Sequence, residues 1–407
     1  MKHIGIIAEY NPFHNGHAYQ LHRAKEMFPD KKIIVLMSGN YVQRGEPSIY
    51  NKYLRTACAL SDNADIVFEL PLLFASASAE YFAQAAIHAF LKTGTIDTLC
   101  FGAEHDNLAL LQEIAHLLVI EPSNFKSVLQ QELKKGNSFP KARMLAITTC
   151  IMHPDVKELL QQPNNILAIE YLKALEKTKA DIKPVIIKRT GSHYHDTTLT
   201  TNYQSATAIR NAIQNDIDIS KTQMPEPSIH ILMHSALAKP IFASDFYNSL
   251  QYAIWQKQEY LENFLEVSTD LANQLKSIKI YPQAFDTLIN NLTNRQYTST
   301  RIKRAMMNIL LDITKDELTL CKEKQYISYL RLLGFKKDAS FILKDIKKQS
   351  DIPIINKVAN AKQILGEKDL SKFEKELHRT HLYNQIFYNK YGMSIPSEYE
   401  HSVIISD

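Results

Sequence analysis

The residues of this chain best suited to chemistry are two histidines three positions apart with a glycine between them. They sit in Glu9-Tyr10-Asn11-Pro12-Phe13-His14-Asn15-Gly16-His17, directly after the apolar run Ile4 to Ala8. A short apolar run that passes straight into a helical pattern reads as strand, loop, helix. At such a loop, unpaired backbone N–H groups and the helix dipole point at an anion. Gly16 lets the backbone approach closely, and each imidazole can donate a hydrogen bond to oxygens on phosphorus as negative charge grows there. The same two side chains could instead only cap or solvate the helix start. The complete strand–loop–helix context favours His14 and His17 as catalytic donors.

The elements that must position this loop repeat the same alternation. Ile33 to Met37, Asp65 to Leu70, Thr98 to Phe101 and Lys183 to Lys188 read as buried strands. Ala18 to Phe28, Asn51 to Leu60, Ala79 to Lys92 and Ala206 to Asn215 carry apolar residues at helical spacing, and 107–179 is helix-rich. This pattern predicts an α/β fold, a Rossmann-like parallel sheet covered by helices on both faces. Met224-Pro225-Glu226-Pro227 marks a boundary, giving an α/β domain over 1–224 and a mostly α-helical one over 225–407. Helices are expected there at Asp245 to Glu262, Val267 to Lys279, Pro282 to Asn294, Thr300 to Leu311 and Tyr326 to Leu332.

Composition narrows the function classes. At 407 residues, 45% hydrophobic and 22% charged, this is an ordinary globular chain with room for two or three domains. A net charge of +4 does not demand a polyanion, but 301–348 holds twelve Lys or Arg against six Asp or Glu. The four cysteines lie far apart, which suits a reducing interior rather than a disulfide framework or zinc knuckle. The first apolar run stops at Glu9 and no stretch of ~18 apolar residues follows, so a cytoplasmic protein with no membrane partner is expected. His193, Tyr194, His195 and Asp196 lack a third spaced ligand, so no metal site is expected. There is no P-loop, nucleophile elbow or KMSKS-type lysine loop.

The loop resembles the HxGH nucleotidyltransferase superfamily, whose common form is GxFDPxHxGH. It keeps the proline, both histidines and the glycine but departs at Ala8-Glu9-Tyr10-Asn11. Ser205-Ala206-Thr207-Ala208-Ile209-Arg210 partly matches the superfamily's ISSTxxR, where Ser205 or Thr207 would cap a helix and Arg210 would reach the β- and γ-phosphates. The form EYNPFHNGH is similar to the tRNA(Met) cytidine acetate ligase family. So are Met37 to Pro47, Phe101 to Glu104, Pro163 to Leu167, Tyr194 to Asp196 and Tyr329 to Gly334. The resemblance implies an ATP site of Ile7, Ala8, Glu9, Tyr10, Asn11, Pro12, Phe13, His14, Asn15, Gly16, His17, Ala18, Tyr19 and Gln20, with Gly102, Asn164 and Arg189. It implies acetate activated with ATP as acetyl-adenylate, and transfer to N4 of the wobble cytidine of elongator tRNA(Met), giving N4-acetylcytidine; the chemistry of transfer at phosphorus adds an expected Mg2+ on the triphosphate.

Candidate tRNA contacts are Lys52 and Arg55 on one helix face, Arg301, Lys303 and Arg304 on another, and Arg331, Lys336 and Lys337 around a turn at Leu332-Leu333-Gly334. Two other functions stay open. One is an adenylyltransferase for a phosphorylated small molecule; the other is a non-catalytic RNA-binding factor that senses ATP. The oligomeric state and the acetate pocket have no signature in the sequence.

Overall fold

Apolar side chains on both faces of the early strands decide the architecture. In the computed structural model, which describes residues 2–189, 205–277 and 284–407, ten strands form. They are β1 (His3–Ala8), β2 (Ile33–Ser38), β3 (Tyr41–Val42), β4 (Glu46–Pro47), β5 (Ile66–Leu70), β6 (Ile96–Ala103), β7 (Lys183–Lys188), β8 (Leu330–Lys336), β9 (Ile354–Ile355) and β10 (Ile404–Ser406). The main sheet runs β10-β8-β5-β2-β1-β6-β7, with β9 beside β8, while β3 and β4 pair as a small hairpin. Pairing is parallel throughout the main sheet except between β5 and β8.

Side chains alternate between two cores, as the pleat requires. Ile34, Leu36 and Phe68 face helices Ala79–Thr93, Leu108–Ile120 and Pro163–Thr178, meeting Phe82, Phe90, Leu111 and Leu172. Ile33, Val35 and Met37 face α1 (Asn15–Met27) and α2 (Lys52–Leu60), meeting Leu21, Ala24, Ala59 and Leu60. Sequential strands turn away in opposite directions from β1, toward β2 on one side and β6 on the other. That reversal opens a crevice at the carboxyl ends of the strands, where doubly wound sheets bind ligands.

Beyond residue 224, helices Tyr247–Gln256, Thr269–Ser277, Phe285–Leu292 and Ser299–Leu310 build a third core from Leu250, Leu271, Leu288 and Ile302. The expected helix at Tyr326 to Leu332 is a strand instead: β8 pairs antiparallel with β5. Its residues Leu330, Leu332 and Leu333 are buried, and a strand buried on both faces shows a continuous apolar run that mimics helical spacing. Gly334 therefore lies in a strand, not a turn. A Cβ there would meet Leu60 Cδ1 at 2.8 Å and Thr56 Cγ2 at 2.9 Å, so only glycine lets α2 lie this close. A 25-residue helix, Glu367–Tyr391, then leads to β10. The main sheet thus takes strands from both sides of the expected boundary at 224. His193 to Asp196, Gln204, Lys279 and Pro282 fall outside the described residues. Among the described residues no helix is long and apolar enough to cross a membrane, and no three metal-ligating side chains converge.

Candidate active site

The motif loop leaves β1 at the crevice and turns sharply into α1. Tyr10 takes a positive φ of 47°, and its ring packs edge-on against Phe13 and His17, at 4.9 and 4.8 Å between centroids. His14 is the N-cap of α1: its Nδ1 accepts from Gly16 N at 3.0 Å. The backbone N–H of His14 donates in turn to His17 Nδ1 at 3.3 Å, which closes a reciprocal capping box. The two rings stack with centroids 3.8 Å apart.

This cap fixes the chemistry of both histidines. A ring nitrogen that accepts from a backbone N–H bears no proton, so the hydrogen sits on Nε2 of each ring. Burial lowers the His14 imidazolium to a pKa of about 3, with Arg189 and Arg210 adding to the effect. His17 also lies well below its ordinary value, through burial first, then His14 and Arg189. Near neutral pH both are uncharged Nε2–H donors. The cap occupies Nδ1 of each ring and leaves the opposite nitrogen available as a donor.

A cavity of about 330 Å³ opens against these rings. From the expected ATP site it is lined by Ile7, Ala8, Glu9, Tyr10, Asn11, His14, His17, Gln20, Gly102, Asn164, Arg189, Ser205, Thr207 and Arg210. Pro12, Phe13, Asn15, Gly16, Ala18 and Tyr19 are not among its lining residues. Asn15, Ala18 and Tyr19 instead face a separate surface hollow with His22 and Arg23. Phe13 is buried against Tyr10. Gln43, Arg44, Ala79, Phe82, Tyr171 and Thr300 also line the cavity. Sequence reasoning did not single these out as site residues, although Gln43 and Arg44 belong to one of the resembling segments.

Side chains from distant segments converge here for identifiable reasons. Ser205 caps helix Ala206–Gln214 by accepting from Ala208 N at 3.1 Å, which aims Arg210 back at the motif loop. Arg210 Nη1 donates to Asn11 O at 2.9 Å and Nη2 to Thr207 Oγ1 at 3.2 Å. Asn11, where the common motif has aspartate, accepts from Ile49 N at 2.8 Å, a task either side chain performs. Asn164 lies in the first turn of helix Pro163–Thr178, one residue inside it, and donates to Glu104 Oε1. Gly102 lies inside β6 rather than beyond it, next to the Arg189 side chain. Arg44, Arg189 and Arg210 thus bring three guanidinium groups to one cavity. Burial lowers the first two from their ordinary value, but arginine starts so high that both stay charged.

The chain is similar to known proteins along its whole length. The model of the HIGH Nucleotidyl Transferase family matches residues 1–395. The chain is 38% identical to the tRNA(Met) cytidine acetate ligase of Acetivibrio thermocellus, with 100% of both chains covered. It is 37% identical to that of Caldanaerobacter subterraneus subsp. tengcongensis over 96% of each. The chain belongs to the tRNA(Met) cytidine acetate ligase family. Its fold matches the crystal structure of apo Thermotoga maritima TmcAL with a TM-score of 0.93 at 28% identity, covering 100% of this chain and 99% of that one. The same protein bound with alpha-thio ATP matches with a TM-score of 0.91.

Within this family member, several expected tRNA contacts prove to be internal. Lys52 and Arg55 are each 1% exposed. Lys52 Nζ reaches Glu69 Oε2 and Glu398 Oε2, both at 2.8 Å, and Arg331 pairs with the same two carboxylates. Two cations and two anions balance in a buried cluster that ties α2, β5, β8 and the C-terminal segment together. Arg55 donates to the carbonyls of Tyr50 (3.0 Å), Glu9 (2.5 Å), Ser38 (3.1 Å) and Gly39. None of the three can meet a phosphate backbone. Lys336 is held by Asp62 O, and exposed Lys337 pairs with Asp407. Lys303 pairs with Glu46 at 2.5 Å and Arg304 with Glu266 at 3.2 Å, while Arg301, 36% exposed, stacks on Tyr297.

Proposed function

We propose that this protein activates acetate with ATP at the His14/His17 cavity and acetylates N4 of the wobble cytidine of elongator tRNA(Met). One observation carries the reading: two neutral, backbone-pinned Nε2–H donors and three guanidinium groups line one cavity at the switch point of the sheet. Full-length kinship with tRNA(Met) cytidine acetate ligases supplies the substrates and displaces the two other functions the sequence left open.

In the first step an acetate oxygen attacks the α-phosphorus of ATP. The bond from that phosphorus to the bridging oxygen breaks, and its electron pair leaves with diphosphate. Charge grows on the equatorial oxygens, and the His14 and His17 Nε2–H groups stand ready to receive it without reorganising. Arg210, fixed by Asn11 and Thr207, takes the β- and γ-phosphates. Gly102, Asn164 and Arg189 form the nucleoside side. A magnesium ion carried by the triphosphate suits this wall, because an ion held by phosphate oxygens and water needs at most one or two carboxylates, and Glu9 lines the cavity.

In the second step the cytosine N4 attacks the acyl carbon. A C–N bond forms, the C–O bond to AMP breaks, and the nitrogen loses a proton. N4 is a poor nucleophile because its lone pair is delocalised into the ring, so the acid must arrive activated. Incubating the protein with ATP, labelled acetate and total tRNA, then digesting the tRNA, should give labelled N4-acetylcytidine. Labelled tRNA with the label elsewhere, or none, would overturn the reading.

A further inference from the structure

The roles proposed above for the nucleotide leave one of the three lining guanidinium groups unassigned, that of Arg44, which Glu9 attracts. Resting on the acetate-activating reading above, the acid needs a carboxylate partner, a floor the size of a methyl group, and a position in line with the departing diphosphate. His14, His17, Ser205, Thr207 and Arg210 serve the phosphates in that reading, and Gly102, Asn164 and Arg189 the nucleoside. Arg44 is the third arginine lining the cavity, and helix Ala79–Thr93 contributes Ala79 and Phe82 to its apolar lining, alongside Phe101, Pro163, Ile166 and Leu167 from other segments.

Arg44 is placed deliberately. It sits in the turn between β3 and β4, where Gln43 N donates to Glu9 Oε1 at 2.8 Å. Gly45 follows with φ of +72°, and a Cβ on it would lie 2.3 Å from Arg304 N and 2.5 Å from Lys303 C. The backbone of helix Ser299–Leu310 thus clamps the turn, and Thr300 of that helix lines the same cavity. Glu9 attracts Arg44, and Arg210, Arg189 and Glu46 also act on it electrostatically. Tyr171 also lines the cavity, and burial first, then the Glu9 carboxylate, push its phenol up. Phe82 is buried in the same core as Tyr171, and Ala79 is the first residue of its helix.

We propose that Arg44 binds the carboxylate of the incoming acid and that Ala79 and Phe82 close around its methyl group, making this the subsite that selects a two-carbon acid. A closed apolar pocket discriminates against one added methylene by roughly 10- to 200-fold. A charge-assisted hydrogen bond to a carboxylate is worth roughly 10- to 150-fold in affinity.

The test follows acid-dependent diphosphate release with acetate, propionate and butyrate, alongside ATP affinity by calorimetry. Arg44→Gln should raise the KM for acetate ~10-fold or more and leave the Kd for ATP within about threefold, with Arg44→Lys recovering part of the loss. Phe82→Ala should shift the preference toward propionate or butyrate by ~10-fold or more. Ala79→Leu, a small change at a partly exposed helix start, guards against a folding defect in Phe82→Ala. It should weaken acetate use and spare ATP binding. An unchanged acetate KM in Arg44→Gln, a change confined to ATP affinity, or an unaltered chain-length preference in both wall variants overturns the subsite while the acetate-activating reading stands. Wild-type protein that binds ATP but releases no diphosphate with any acid overturns both.

Discussion

Replacing Arg55 by methionine separates a positioning role from a tRNA contact. The guanidinium of Arg55 sits 1% exposed and donates to four backbone carbonyls, those of Glu9, Ser38, Gly39 and Tyr50. Burial lowers its pKa to about 10, so it remains charged at neutrality. Methionine fills much of the same volume but donates nothing, which leaves four buried carbonyls to find water or go unpaired. Each orphaned polar group costs about 1–3 kcal/mol, and removing one partner of a buried charged network costs about 3–5 kcal/mol in all. For a chain of 407 residues, an unfolding entropy near 2.1 cal/mol/K per residue converts that loss to a fall of about 4–6 °C in Tm. Because Glu9 O is one of the four acceptors, the motif loop should slacken too, and acetate-dependent AMP formation should fall more than Tm alone explains. Differential scanning calorimetry and a diphosphate-release assay measure the two effects. A Tm within a degree of wild type, together with a shallower salt dependence of tRNA binding, would refute the argument and return Arg55 to the surface.

Three further outcomes follow from the same geometry. His14→Ala or His17→Ala should cut acetate-dependent AMP formation by ~100- to 1000-fold, the cost of one lost donor at developing charge, and leave tRNA affinity in a filter-binding assay intact. The His14 pKa is about 3 in the fold against an ordinary 6.5, so the unfolded chain takes the proton first as pH falls. Stability is therefore complete above pH 6.5 and erodes between 6.5 and 3. The His14 contribution reaches a loss of about 2 kcal/mol at pH 5, and urea titrations should find that slope reduced in His14→Gln. Gly45→Ala should destabilise by about 2–4 kcal/mol, combining a positive φ with a Cβ driven into the backbone of Arg304. An unchanged denaturation midpoint would show that the turn is not clamped there.

The part of the site that lies in one segment was legible in the sequence, and the part assembled from several was not. Strand, loop and helix around His14 and His17 follow from a short apolar run, a glycine and a helical period, all within 27 residues of the start. The parallel sheet covered on both faces also follows from alternation of strands and helices, whereas the strand order that makes β1 the switch point is visible only in the fold. Arg44, Phe82 and Tyr171 gave no such signal, because only the folded sheet brings residues so far apart in the chain to one wall. Charge misled in a different way. Lys52, Arg55 and Arg331 look like surface cations until Glu69, Glu398 and four carbonyls are seen around them. Sequence spacing cannot report such partners, which lie 5 to 346 positions away. The β8 segment failed for the reason given above: a fully buried strand carries no alternation to separate it from a helix.

The central claim is that the acid attacks the α-phosphorus of ATP at the His14/His17 cavity. Oxygen-18 in the carboxylate of acetate tests it most directly, with protein, ATP and tRNA present and AMP analysed by mass spectrometry. Attack at the α-phosphorus makes one acetate oxygen the bridge of an acyl-adenylate, and aminolysis at the carbonyl then leaves that oxygen on AMP. The account predicts AMP carrying one oxygen-18, with the second retained in the acetyl group on cytidine. ADP with the label in inorganic phosphate, or AMP without label, would contradict it.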